Sequence, residues 1–476
     1  MLSRNRFRYL AWTCHNSYSG RTLDVNKQRK FYGRDGGQII RWRNIAILLI
    51  LWFAEVWYYE RIVVQRVIKR CEWDSWEEWP ANATPHRVAL FADPQLLDCS
   101  SYPNRTWVIN EATKVVADNY HRRNWKFIQY WLSPDTNFFL GDLFDGGRYN
   151  KDAYWMEQYK RFNNIFPKVP FKKTIMSVPG NHDIGFNVLK DSFRRFTAFF
   201  GEASNYMDVG NHTFVLVDTI SMSDKENPQI SSIPKNFLHE FASGYHPLPK
   251  IMLSHIPLWR DPKKLPCGPG RESAKPFPIE RGKDYQTVID GYITPEVLSK
   301  VQPDAIFCGD DHDYCHIIQK YEANGVTKTA EEYSVKSCAM NMGIKYPAIQ
   351  LISLWNPDAV GSNSGKKTFQ TEVCYLPDAN KALCMYLLSF IGSTFWLVFK
   401  QFFPFNFKKY PTIGMRSTNE WTIAPLSLPL STRKNIMKIE HEVEDKLNIK
   451  IKGFLISYGI FVVSVMCIFM YFFKTI

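Results

Sequence analysis

The sequence predicts an α/β protein of layered type, with membrane-spanning helices toward both ends. Three observations predict it. Strand-like apolar runs alternate with helical patterns from Arg87 to Trp355. Five of those runs end in turn residues followed by side chains that bind metals. Three longer apolar stretches flank this middle section, one before it and two after.

Taken in order, Arg61 to Arg70 reads as a helical tether and Cys71 to Pro85 as a linker. A strand, Arg87 to Ala92, opens the domain. Val108, Ala112, Val115 and Val116 recur at helical spacing between Asn104 and Trp131, so a helix follows. The strand Asn137 to Leu140, a helix over Asp152 to Phe166 and the strand Lys173 to Val178 come next. Val188 to Phe200 reads as helix and Thr213 to Val217 as a buried strand. A further strand ends at His255, where Pro257 can donate no ladder hydrogen bond. Asp261 to Gly282 is too rich in Pro and Gly for regular structure and is expected to loop over the site. Thr294 to Val301 is a short helix, followed by the strand Ala305 to Cys308 and a late strand, Ala348 to Trp355.

The chain has 476 residues, 45% of them hydrophobic, and a formal charge of +13. The basic runs lie near long apolar segments without an aromatic-basic groove pattern, so the excess is assigned to membrane orientation and no nucleic-acid partner is expected. Gly453 to Phe473 carries no charge and is long enough to cross a bilayer; Ala382 to Phe399 is bracketed by Lys381 and Lys400. Ile45 to Tyr59 is shorter and contains Glu55, and a buried core helix is its alternative reading. The expected organisation is a basic cytosolic arm (1–43), a span (44–60), a lumenal domain (61–380), a span (381–400), a cytosolic loop (401–452) and a span (453–473). Sequons at Asn82, Asn104 and Asn211 all fall in the lumenal part and are expected to carry glycans. Seven cysteines would face an oxidising lumen, where disulfides are expected with pairing unreadable. Cys308 and Cys315 are expected to be buried strand thiols rather than zinc ligands, since the chain has no Cys-x-x-Cys pair.

The five strand-end motifs are Asp93-Pro94-Gln95, Gly141-Asp142, Gly180-Asn181-His182-Asp183, Ser254-His255 and Gly309-Asp310-Asp311-His312. Two divalent metals need a bridging carboxylate and oxygen or imidazole ligands on each. Asp142 is the natural bridge. Asp93 and His312 would complete one metal, with Gln95 or Asp145 as a further oxygen donor, and Asn181, His255 and Asp310 the other. A hydroxide shared by the metals would attack phosphorus, His182 would protonate the leaving group, and Asp183 would orient His182. Arg148 has two readings, a substrate-phosphate contact or a solvated loop charge.

As a set, these motifs resemble those of the calcineurin-like metallophosphoesterases. Ala92 to Gln95, Gly141 to Arg148 and Asp311 to Cys315, with spans on both sides, look like the membrane-bound branch that remodels GPI anchors. The resemblance implies a layered β-sandwich flanked by helices and two metals, with Mn2+ expected. It implies a phosphodiesterase of the endoplasmic reticulum or Golgi membrane that removes ethanolamine phosphate from a GPI mannose, with GPI lipid or GPI-anchored protein as substrate. Gln95 stands where the wider family has His, and Asp310 where the first His of Gly-His-x-His would be. A lumenal phosphomonoesterase or nucleotide hydrolase is the alternative enzyme. A lumenal binding or cargo protein with a degenerate site is the alternative outside enzymes.

Overall fold

The computed structural model describes residues 42–282, 285–357, 367–403 and 430–475. The basic arm and most of the loop expected to be cytosolic lie outside the described residues.

Two sheets face each other. The first has the order β11-β10-β1-β2-β3, with β1 His86–Phe91, β2 Thr136–Phe139, β3 Lys173–Ile175, β10 Ala348–Leu354 and β11 Phe369–Tyr375. The second has the order β4-β5-β6-β7-β9-β8, with β4 Asn205–Val209, β5 His212–Leu216, β6 Lys250–Leu253, β7 Ala305–Cys308, β8 Cys315–Ala323 and β9 Val326–Ser334. The pairs β1-β2-β3 and β5-β6-β7 are parallel, so the carboxyl ends of the motif-bearing strands point the same way within each sheet.

Strand periodicity sorts the apolar side chains into two cores. Val88, Leu90 and Phe138 join Phe214, Leu216, Leu253 and Phe307 between the sheets, and the rings of Phe138 and Phe214 stack at 4.8 Å. Ala89, Phe91 and Phe139 face the other way, into a cluster with helix residues Trp125, Trp155 and Phe162. Both faces of these strands are therefore buried, which is why they read as continuous apolar runs rather than alternating ones. Four strands escape the reading by apolar runs: β4, β8, β9 and β11 are half polar, and Val326-Thr327-Lys328-Thr329 is wholly exposed.

The helix expected after residue 104 forms at Trp107–Phe127, but its packing differs from expectation. Val108, Ala112 and Val115 are exposed, whereas Ala117, Tyr120, Asn124 and Trp125 are buried. The 261–282 segment is irregular, as its composition requires. It is tied to β8 by a disulfide between Cys267 and Cys315, which corrects the expectation of a strand thiol at Cys315. Cys71 pairs with Cys374, joining the linker to β11, while Cys308 is a buried free thiol.

Among the described residues, two helices are long and apolar enough to cross a membrane: Ala379–Phe402, and the Glu444–Lys474 part of the Leu430–Lys474 helix. The first apolar stretch is a 16-residue helix, Trp42–Trp57, continued by a π turn at Tyr58–Val63 and the helix Val64–Lys69.

The chain divides into two compact units. One comprises 1–46 and 396–460, where Gln401 Nε2 donates to the Lys450 carbonyl (3.1 Å) and Phe402 meets Phe454 at 6.0 Å. The other comprises 47–395 and 461–476 and contains both sheets. Within it Trp52 packs against Tyr386 and Phe469 and donates to Ser393 (3.1 Å), so the first apolar helix lies against the other two. A buried ion pair, Arg123 to Glu60 at 2.7 Å, joins the π turn after that helix to the Trp107–Phe127 helix. Asn119 (2.8 Å) and Tyr386 (3.2 Å) donate to the two Glu60 oxygens, so this buried carboxylate is fully partnered.

Candidate active site

Asp93, Asp142, His255, Asp310 and His312 sit just past strand ends, and Asn181 opens a one-turn helix, Asn181–Ile184, beyond β3. Asp93, Gln95, Asp142, Asp310 and His312 all have positive φ, between 33° and 67°. Non-glycine residues hold this conformation only where the surroundings over-determine it, and such strain gathers at functional sites. Two glycines are there for space. A Cβ on Gly180 would lie 2.0 Å from Asp142 Oδ1, and one on Gly141, at φ +92°, would lie 2.6 Å from His255 Nδ1.

Asp93, Asp142 and His255 converge, each offering a ligand atom within 4.8 Å of the others. His255 Nδ1 donates to the Leu140 carbonyl at 2.7 Å, which leaves Nε2 as the lone-pair nitrogen. Nε2 lies 3.2 Å from Asn181 Oδ1, 3.4 Å from Asp142 Oδ1 and 3.7 Å from Asp310 Oδ1. Burial holds the His255 imidazole below its ordinary pKa and hence neutral, the form that binds a metal. Asp310 N donates to Asp93 Oδ1 (3.1 Å). The structure thus brings Asp93, Asp142, Asn181, His255 and Asp310 together. The His312 ring is within electrostatic range of Asp142 and His255, and burial pushes its pKa down to about 4.

The donor set fits cations. Asp93 Oδ2 is buried with no hydrogen-bond partner among the described residues. Burial, and then repulsion from Asp142, holds the Asp93 and Asp310 carboxyls well above the ordinary carboxylate range. An orphaned oxygen and clustered acids that outnumber the neighbouring cationic groups are what a cation site looks like before its cations are counted.

The residues around this cluster differ in role from the sequence reading. Gln95, expected as an oxygen donor, gives its amide Nε2 to Asp142 Oδ2 at 2.7 Å and so orients the central carboxylate. Asp183, expected to orient His182, instead accepts from the amides of Leu143, Phe144 and Gly180 at 2.9–3.1 Å and holds the Asp142 loop. The residue that holds His182 is Asp145, whose carbonyl accepts from Nδ1 at 2.6 Å and whose carboxylate lies 3.3 Å away. Burial alone would depress the His182 pKa. The charge of Asp142 and the bond to Asp145 outweigh it and hold the group up at about 9, with the carboxylates uncompensated. Arg148 lies under the same motif, its Nη1 donating to the Asn181 carbonyl (3.1 Å) and its backbone amide to the His182 carbonyl (2.8 Å).

Two supports had no sequence signal. Ser337 Oγ donates to the Asp93 carbonyl (2.9 Å), and buried His121 bonds the Pro94 carbonyl. Both come from elements remote in sequence. The 261–282 loop reaches the last motif through paired Arg271 and Asp311, and through the Glu272 and Ser273 amides on Asp313.

Residues 86–314 match the family model for calcineurin-like phosphoesterases. The chain is 50% identical over 452 residues to "Cell division control protein 1" of Saccharomyces cerevisiae, covering 92% of each chain. It is 24% identical over 372 residues to "Metallophosphoesterase 1" of Danio rerio (73% of this chain, 89% of that one). It is 23% identical over 308 residues to the "Metallophosphoesterase 1 homolog" of Caenorhabditis elegans (62% and 80%). A sandwich with ligand-bearing strand ends, the matched motifs and an almost full-length relative at that identity place this chain in the calcineurin-like metallophosphoesterase family, as a hydrolase of phosphoric esters.

Proposed function

We propose that the chain is a membrane-anchored, lumenal phosphodiesterase of the endoplasmic reticulum or Golgi that removes ethanolamine phosphate from a mannose of GPI. The observation that carries the hydrolytic part is the convergence of Asp93, Asp142 and His255, with Asn181 and Asp310 against the same imidazole nitrogen. The substrate part is supported by the resemblance of the Asp142 to Arg148 and Asp311 to Cys315 motifs to the GPI-remodelling branch, and by apolar helices around the catalytic domain. The lumenal orientation is supported by the basic arm before the first apolar helix and by exposed sequons at Asn82, Asn104 and Asn211.

Asp93 and His312 would hold one divalent cation and Asn181, His255 and Asp310 the other, with Asp142 between them. Mn2+ suits this set better than Zn2+, because oxygen donors outnumber nitrogen. The cations would supply charge for the phosphoryl oxygens and an acidified water. The protein's own groups do the rest. Gln95 fixes the Asp142 carboxylate, and Asp183 fixes the loop that carries it. His182, held through Nδ1 by the Asp145 carbonyl, would serve as proton donor to the departing sugar oxygen. Arg148 steadies the Asn181-His182 backbone, and its charge would attract a substrate phosphate.

Mass analysis of GPI glycans from cells whose own copy carries Asp142→Ala tests the substrate. Retained ethanolamine phosphate is the expected result, and an unchanged glycan removes the assignment. A panel of GPI glycan, p-nitrophenyl phosphate and nucleotides, assayed with Mn2+, separates this diesterase from the monoesterase and nucleotide-hydrolase readings.

A further inference from the structure

Two cavities border each other where the catalytic domain meets the apolar helices. The first, of about 470 Å³, lies between the exposed stripe of the Trp107–Phe127 helix (Ala112, Val115) and span residues Leu383, Phe469 and Phe473. Its walls are almost entirely hydrocarbon. The second, of about 690 Å³, is lined by Tyr58, Tyr59, Arg66, Arg70 and Lys381. Arg123 and Ala382 line both. An apolar compartment and a cationic one therefore share a wall.

The charges on that wall do not cancel. Arg123 is taken by Glu60. Glu272 is taken by Lys336 (2.8 Å) and by the amides of Lys345 and Tyr346, and Asp378 accepts from the Lys381 amide. Arg66, Arg70 and Lys381 are exposed, and their side chains have no ion-pair partner among the described residues. Arg66 and Arg70 stand one helical turn apart, where like charges repel. With the lumenal orientation proposed above they lie at span ends on the lumenal side, where the usual orientation rule disfavours cations. An anion at that depth removes both costs. Tyr58 and Tyr59 are residues that settle at headgroup level, and the adjoining apolar cavity falls within the ~300–1,000 Å³ of ordinary ligand sites.

We infer that this paired cavity binds an anionic phospholipid of the surrounding leaflet, its phosphate among Arg66, Arg70 and Lys381 and an acyl chain along Val115, Leu383 and Phe469. A free phosphate would leave the apolar compartment without an occupant, and a zwitterionic lipid would bring its cation to a wall where three cations outnumber the carboxylate of Asp378. The site uses the membrane anchoring and not the reaction, so it stands or falls apart from the hydrolytic reading. It also explains why Ala112 and Val115 are exposed: helical periodicity reports an apolar face, and lipid covers that face as well as protein does.

The test uses the full chain purified in detergent, with retention of added phosphatidylglycerol and phosphatidylcholine read by native mass spectrometry. Phosphatidylglycerol is expected to be retained in preference. Arg66→Gln with Arg70→Gln is expected to weaken it on the order of thirtyfold, from two cations lost at the membrane surface. Val115→Trp, at an exposed position, is expected to block the acyl chain, while Lys160→Gln at an exposed site elsewhere leaves retention unchanged. Thermal melts confirm that each variant is folded. Equal retention of both lipids, indifference to the arginine pair, or displacement by inorganic phosphate alone overturns the inference.

Discussion

Two buried clusters of charge, one at the strand ends and one behind β9, are built on opposite principles. Behind β9, Glu332 and Arg260 are fully buried and paired at 2.5 Å. Glu332 also accepts from the Leu258 amide (2.9 Å) and Gln319 (2.7 Å), and Arg260 lies 4.5 Å over the Phe277 ring. Every cost of burial is met within the chain. At the strand ends Asp93, Asp142 and Asp310 crowd together around an imidazole kept neutral, and an Asp93 oxygen has no partner. That cluster is satisfied only by something the chain does not itself supply. Self-sufficient burial marks a structural pair, and unmet charge marks a site.

The largest way to break the comparison is at the centre of the unmet cluster. Asp142→Ala is expected to cut Mn2+-dependent phosphodiester hydrolysis on the order of a thousandfold or more, with the melting temperature of the metal-free protein unchanged or raised. Steady-state kinetics and a thermal melt on one preparation read both. Glu332→Ala should do the reverse. It strands a buried guanidinium and is expected to cost about 3–5 kcal/mol of stability, while activity per folded molecule stays near normal; chemical unfolding checks it.

A smaller effect sharpens the same contrast. Asp310→Asn removes one repelling charge and is expected to stabilise the metal-free protein by about 1–2 kcal/mol. The same variant should lose most of the melting-temperature rise that Mn2+ gives the parent chain. If Asp310→Asn melts lower without metal and responds to Mn2+ as the parent does, the acids are not uncompensated.

The smallest effect concerns His121, which is buried and holds the Pro94 carbonyl, its pKa pushed down by burial to about 3. An unfolded chain takes up a proton on this ring below about 6.5, and the folded chain does not until about 3. Stability therefore falls on acidification from pH 6.5 downward, by up to about 1.4 kcal/mol per pH unit from this group. In melts between pH 7 and 5, His121→Phe should show a shallower decline than the parent, and parallel curves would refute the assignment.

The catalytic half of the fold was legible because its signals are local. A run such as Phe138 to Leu140 before Gly141-Asp142 states in a few residues that a strand is buried on both faces, that it turns, and that a carboxylate follows. Long-range relations left no such mark. Asp145 and Asp183 are both acids close to His182 in the motif pattern, yet only the folded loop gives one the imidazole and the other three backbone amides. The same holds for the Gln95 amide on Asp142, the support of Asp93 by Ser337 across 244 residues, and the choice of Cys267 as partner for Cys315. β8 and β9 were illegible for another reason. They pair with each other, and β9 with β7, through backbone hydrogen bonds, which need no apolar run.

By itself the amino-acid sequence determined the alternation of strand and helix, the six ligand-type residues at strand ends and the apolar helices, since these rest on periodicity and turn chemistry that neighbouring residues settle among themselves. Only the tertiary structure decided which acid serves which partner, which cysteines join and which face of a helix meets protein. Those are relations between surfaces distant along the chain, and they exist only once the two sheets have closed on their common core.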